Sequence, residues 1–220
     1  MILKKITGII LSQRPRGEFD RMIEVFSYEY GRMLVLAKGV RYIKSRRSFH
    51  LDLLNLVNME LEQNSGSNIG IKYLREISTI ETFAELKLSY DSFSAACLIS
   101  AFLTRHLPME TPQKTLFTLT KTTLEELNKC ERTARAQSEA NNPALPVVSR
   151  VSFINKAPQK ILLTYFLKTL RLLGHLPNKL PQNKLRQIMW QTISDIDPQL
   201  TLNARRTLGT LSILNKTLSN

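Results

Sequence analysis

Cysteine, histidine and acidic residues are all scarce in this sequence, and each scarcity removes a class of function. Cys97 and Cys130 are the only cysteines, too few and too separated for a disulfide framework or a tetrahedral zinc site. His50, His106 and His175 stand alone and read as surface or lightly packed residues rather than ligands or bases. There is no Gly-rich phosphate loop, no Gly-x-Ser-x-Gly and no His-Glu-x-x-His, so the common nucleotide-binding and hydrolytic motifs are missing. Asp195 and Asp197 could hold a metal, but capping of a helix accounts for Asp197 better. The expectation is a binding protein, not an enzyme, and one without a cofactor or metal. No apolar run approaches the length of a membrane span. Ile9-Ile10-Leu11 behind Lys4 and Lys5 is too short for a signal peptide. These features predict a soluble protein of a reducing cytoplasm with no membrane partner.

What is abundant is positive charge. The chain has 31 Lys and Arg against 18 Asp and Glu, a formal net charge of +13, which makes polyanions its natural partners. The charge is uneven. Residues 1–50 carry eleven basic and four acidic residues, net +7, and residues 143–220 carry eleven and two, net +9. Residues 51–142 hold nine basic and twelve acidic, net −3. A uniformly charged surface would not concentrate cations at the two ends.

The hydrophobic period changes once along the chain. Up to about residue 80 the apolar segments are short and turn-bounded. Ile6–Gln13, Met22–Phe26, Arg32–Lys38, Leu51–Leu61 and Ile69–Ile77 read as five strands. Arg14-Pro15-Arg16-Gly17, Tyr28–Gly31 and Gln63–Asn68 are the turns and loops between them, with Pro and Gly where turn chemistry wants them. Five short strands in this length suit a small barrel of the OB type. Beyond Ile80, Phe83, Leu86, Tyr90, Phe93, Cys97 and Ala101 recur at helical spacing, as far as His106-Leu107-Pro108. Pro112 opens a second helix through Leu127, and Lys129–Asn142 is open to reading as a frayed end, a loop or a disordered segment. Asn142–Pro146 is a connector. Pro158 precedes the apolar stretch Ile161–Leu173, which Gly174 and Pro177 stop. Pro181 starts another helix, and Asp197-Pro198 starts the last, running through Leu218. The expected fold class is therefore α+β: an N-terminal OB-fold barrel, residues 1–80, followed by an all-α helical domain, residues 81–220.

The candidate binding residues gather around the third strand. Gly31–Arg47 reads GRMLVLAKGVRYIKSRR, a strand that delivers a loop carrying Lys38, Arg41, Lys44, Arg46 and Arg47 with no carboxylate among them. Tyr42 stands in that loop as a possible stacking platform, an arrangement suited to gripping a nucleic-acid backbone. Arg14, Arg16 and Arg21 flank the first turn, and Arg32 begins the third strand. In the helical part, Lys168 and Arg171 share a stripe with Thr164. They would suit an acidic peptide with a hydrophobic end, or equally be long side chains lying over a bundle surface.

These residues resemble a known family, the bacterial recombination mediator RecO. Arg14-Pro15-Arg16-Gly17-Glu18-Phe19-Asp20-Arg21 is similar to its arginine-proline-x-x-glutamate turn. Glu29-Tyr30-Gly31-Arg32, Ala37-Lys38-Gly39-Val40-Arg41 and Lys44-Ser45-Arg46 follow in the family's order and spacing. Leu172-Leu173-Gly174-His175-Leu176-Pro177 resembles the segment before a zinc knuckle found in many members. The knuckle's Cys-x-x-Cys is replaced by Asn178-Lys179-Leu180-Pro181, so no structural zinc is expected. The resemblance implies an OB-fold with a helical domain and a role in recombinational repair. It implies binding to single- and double-stranded DNA, strand annealing, and help to RecA against single-stranded-DNA-binding protein. RecR and the acidic C-terminal tail of single-stranded-DNA-binding protein are the implied protein partners, with a nucleoid-associated place in the cytoplasm. From the residues alone, an OB-fold RNA-binding protein and a non-enzymatic adaptor with basic docking surfaces stay open.

Overall fold

The computed structural model describes residues 2–63, 72–141, 157–176, 185–196 and 199. Five strands, β1 (Ile2–Arg16), β2 (Asp20–Ser27), β3 (Gly31–Ala37), β4 (Leu56–Gln63) and β5 (Lys72–Glu81), close into a barrel in the order β1-β2-β3-β5-β4. All pairings are antiparallel except β3 with β5, joined through Val35–Lys72 and Leu36–Tyr73. This is the strand order of an OB-fold, and five strands followed by helices make the chain α+β, as expected from the sequence.

Alternation fills the barrel. Ile23 and Val25 of β2, Met33, Val35 and Ala37 of β3, and Val57, Met59 and Leu61 of β4 all point into one cluster. On β1 the same alternation passes through Ile6, Gly8 and Ile10. A Cβ on Gly8 would meet Val25 Cγ1 at 2.4 Å, so the glycine lets β1 cross the barrel closely enough to pair with β4 at one end and β2 at the other. β1 is longer than the predicted Ile6–Gln13 for that reason: each half has its own partner.

Two further strand predictions shift. The segment predicted as a strand from Leu51 starts instead as an irregular link, residues 51–55, which follows the 3₁₀ turn Arg46–His50, with β4 beginning at Leu56. Leu51 and Leu54 are buried as the sequence suggested, Leu51 within the barrel core cluster, but in the link rather than at strand positions. Leu54 takes a positive φ of 66° and donates its N–H to the Ile10 carbonyl at 2.8 Å, while Ile10 N–H reaches Asn55 O at 3.1 Å. β5, described from Lys72, runs on to Glu81 past the predicted end at Ile77, because its pairing with β4 continues through Val57–Thr79 and Leu56–Glu81. Residues 64–71, which include most of the predicted loop and the start of the predicted fifth strand, lie outside the described residues.

The first predicted helix is two: α1 (Ala84–Leu88) and α2 (Tyr90–His106), broken at the buried Ser89, whose carbonyl accepts the first bond of α2 from Phe93 N–H at 2.9 Å. α3 (Lys114–Asn141) continues through Lys129–Asn141, so that polar stretch is helix rather than loop. α4 (Ala157–Leu172) starts with Pro158 in its first turn. It ends at Gly174 (φ 79°), with His175 N–H on Leu170 O and Gly174 N–H on Arg171 O, a Schellman closure. α5 (Leu185–Ile196) follows. The connector Asn142–Pro146, the knuckle position Asn178–Pro181, the cap Asp197-Pro198 and, residue 199 apart, the helix predicted through Leu218 lie outside the described residues.

The contacts divide the chain into two compact units. One is Met1–Phe83 with Ser100–Lys121; the other is Ala84–Ile99 with the described residues from Thr122 onward. In the first, residues 100–121 cover the outer face of β1 and β2: Ser100 Oγ donates to Leu11 O at 2.6 Å, and Phe117 meets Phe26 and Tyr28 edge-on at 5.5 and 5.6 Å. Strands covered on both faces read as continuous apolar runs, which is why Ile9-Ile10-Leu11 and Val25-Phe26 do not alternate. In the second unit, Ser92 Oγ donates to Glu131 at 2.6 Å and Arg135 pairs with Glu85 at 3.1 Å. Burial pushes the Cys97 thiol up from its usual value. Cys97 should therefore alkylate more slowly at pH 8 than a free thiol and reach the free-thiol rate in denaturant, as a timed labelling experiment would read.

Candidate nucleic-acid interface

The basic loop after β3 does not project alone; it folds back on the turn between β1 and β2. Gly39 N–H donates to Asp20 Oδ1 at 2.8 Å, Arg41 N–H to Phe19 O at 3.0 Å, and Arg41 Nη1 to Gly17 O at 3.0 Å. Phe19 and Tyr42 stack with centroids 4.2 Å apart and planes 9° from parallel. Gly39 has φ 65°, the left-handed conformation that turns the loop back. The two basic segments seen separately in the sequence thus form one surface.

The predicted residues take different places on it. Arg14, Arg16, Lys44 and Arg46 are exposed, and among the described residues no carboxylate pairs with them. Lys38 is exposed with its ammonium over the Tyr73 ring at 4.5 Å, and Arg41 is exposed while holding Gly17. Arg21 is half-buried and donates to Gln13 Oε1 at 2.9 Å. Tyr42 is 53% exposed, with one ring face on Phe19; it is not a barrel core residue.

Two cations are committed inside the fold. Arg47 Nη2 donates to Lys38 O at 3.0 Å, and its Nη1 reaches Leu74 O and Arg75 O at 3.3 and 3.4 Å, tying the 3₁₀ turn to the ends of β3 and β5. Arg32 pairs with the buried Glu24 at 2.5 Å and donates to the Thr104 carbonyl. Glu24 also accepts from Ser12 Oγ at 3.1 Å. Arg32 therefore anchors residues 100–121 to the barrel instead of offering a free cation. The sequence carries no mark that separates it from Arg14 or Arg46.

Three apolar side chains on this surface escaped the sequence reading. Phe19 is 39% exposed, Phe49 82%, and Ile43 fully exposed. Phe49 was legible as an aromatic two residues after Arg47, but it fell between the basic loop and the strand predicted from Leu51 and was assigned to neither. By contrast, a groove on the β1–β4–β5 side, about 420 Å³, is lined by Lys5, Glu29, Glu60 and Glu76. Its carboxylates make it unsuited to a polyanion, and the Glu60 hydrogen bond raises the Lys5 ammonium above its ordinary value.

In the helical part, Lys168 is exposed and Arg171 half-buried on α4, with Leu170 fully buried between them. The apolar neighbour that faces outward is Leu172, 51% exposed. Among the described residues, no group of three or more His, Cys, Asp or Glu side chains could hold a metal, and no helix is long and apolar enough to cross a membrane.

Comparison with known proteins finds relatives for the barrel and the residues just beyond it. Residues 1–83, the barrel and its closing Phe83, match the family model for the recombination protein O N terminal. DNA repair protein RecO of Syntrophobacter fumaroxidans is 31% identical over 124 residues, 56% of this chain and 47% of the relative. That of Aliivibrio fischeri is 33% identical over 136 residues, 62% and 51%, and that of Desulfitobacterium hafniense 29% over 124 residues, 56% and 44%. The chain thus spans about half the length of the relatives it matches. Over its barrel the chain matches the recombination protein O N-terminal domain, and these relatives support a place in the RecO family.

Proposed function

We propose that this chain is a DNA-binding protein of recombinational repair, acting as a mediator rather than as a catalyst. The observation that carries the reading is the cationic surface made where the loop 38–47 clamps onto the β1–β2 turn. On it, Arg14, Arg16, Lys44 and Arg46 stay exposed beside a stacked aromatic pair. Such a surface neutralises phosphates and releases counterions. It grips backbone without reading bases, so it suits binding single and double strands alike, annealing complementary strands and assisting RecA on coated single strands. The relatives named DNA repair protein RecO support the repair role. RecR remains the proposed partner protein, and Lys168 with Arg171 the proposed contact for the acidic tail of single-stranded-DNA-binding protein. A nucleoid-associated cytoplasmic location goes with this role.

The test removes Lys44 and Arg46, because Arg47 holds the turn together and its loss would confound folding with binding. Single-strand binding weakens with salt at about −0.7 log units per phosphate contacted, so the Lys44→Gln/Arg46→Gln variant should flatten the slope by roughly 1.4. A folded variant with the parent's affinity and slope would remove this surface as the DNA site. An RNA-binding protein would instead prefer the RNA of a matched pair of strands, and an adaptor would bind neither in moderate salt.

A further inference from the structure

We infer that Phe49, with Ile43 beside the same cations, is the base-contacting element of this surface and gives it a preference for unpaired nucleotides. The inference rests on the reading of the loop as a DNA site and adds what that reading lacks, a group that distinguishes paired from unpaired strands. Exposed apolar side chains are ordinary when scattered, but here Ile43 is fully exposed and Phe49 82% exposed within a stretch that also carries Lys44, Arg46 and Arg47. Neither side chain belongs to the barrel core.

The backbone under Phe49 is fixed. Arg47 bonds the carbonyls of Lys38, Leu74 and Arg75; Ser48 Oγ donates to Ser45 O at 2.8 Å; and Leu51 N–H closes on Ser48 O at 3.2 Å. A phenyl ring held outward on a pinned 3₁₀ turn loses little freedom on binding, which favours stacking. The flanking ammonium and guanidinium groups supply the charge complementarity that commits the occupant to a polyanion carrying flat apolar faces. A nucleic acid with exposed bases has both. Within a duplex each base face is already stacked on its neighbour, so the ring finds a free face only in a single strand or at an end. Tyr42 differs, because one face of its ring is already taken by Phe19.

The experiment titrates the full chain against three fluorescent probes: a single-stranded oligothymidylate, the same backbone with abasic sites, and a blunt duplex. Phe49→Ala should melt as the parent does and bind the oligothymidylate about 5- to 150-fold more weakly, the equivalent of one lost base stack. Its salt slope should be unchanged. On the abasic strand the variant and parent should bind equally, on the duplex the loss should be small, and Phe49→Trp should restore the single-strand affinity. A folded Phe49→Ala that binds oligothymidylate as tightly as the parent, while Lys44→Gln/Arg46→Gln weakens it, overturns the base contact and leaves the cationic site standing. Equal losses on the abasic and intact strands also overturn it. A parent chain without salt-dependent affinity for any probe overturns both readings together.

Discussion

Arg32→Met should lower the stability of the barrel unit by about 3–5 kcal/mol, because it strands a buried carboxylate. Glu24 is 3% exposed, and its charge is met by the Arg32 guanidinium at 2.5 Å and by Ser12 Oγ. The same guanidinium bonds the Thr104 carbonyl, so the substitution also releases residues 100–121 from the N-terminal end of β3. Glu24→Met alone should be similarly damaging, since it leaves the cation 17% exposed with no countercharge. The double change to Met at both positions should recover much of the loss, as apolar replacements of buried pairs commonly do. Urea melts of the four proteins form a cycle that isolates the pair. Additive losses would show that Arg32 acts through Thr104 and not through Glu24. The DNA slope of the folded double variant should stay at the parent's value, which separates this arginine from the exposed ones.

Gly31→Ala should cost about 2–5 kcal/mol, combining the strain of a left-handed residue with a core overlap. Gly31 has φ 75°, and a Cβ there would stand 2.0 Å from the Thr111 carbonyl oxygen and 2.5 Å from its carbon. That backbone cannot easily yield. Arg32 forms a parallel bridge with Met109, and Glu110 N–H bonds Arg32 O at 2.7 Å. Lys72, 3% exposed, fastens Glu110 from the barrel side. Gly17→Ala is the control: φ is 62°, but nothing lies within 4 Å of its Cβ. Only the left-handed penalty of about 1–2 kcal/mol should appear there. If the two substitutions cost the same in denaturant melts, the close approach of residue 111 contributes nothing.

Much of the interface could be read from the chain because charge and turn chemistry are local. The run from Lys38 to Arg47 without a carboxylate needed no partner to be seen, nor did the turn at Gly17, although Arg14, Pro15 and Arg16, predicted in that turn, are paired residues of β1. What could not be read was the use each side chain makes of its charge. Arg46 and Arg47 are adjacent in sequence, yet one is exposed and the other bonds the carbonyls of Lys38, just past β3, and of Leu74 and Arg75 in β5. Phe19 becomes part of the site only because Arg41 draws its loop onto the turn that holds it.

By itself, then, the sequence determined the alternation that makes five strands, the switch to helical spacing after Ile80, and the sign and location of the charge. These follow from periodicity and composition, which each segment carries alone. Tertiary structure decided the register and the close approaches. Gly8 and Gly31 look alike in the chain, but one meets a core methyl and the other a carbonyl of a distant link. It also decided that Leu51 packs into the barrel core from outside any strand, that β5 runs beside β3 in parallel, and that Arg32 is an anchor. Each of those outcomes depends on a partner far away in sequence, and a partner's position is set only when the barrel closes.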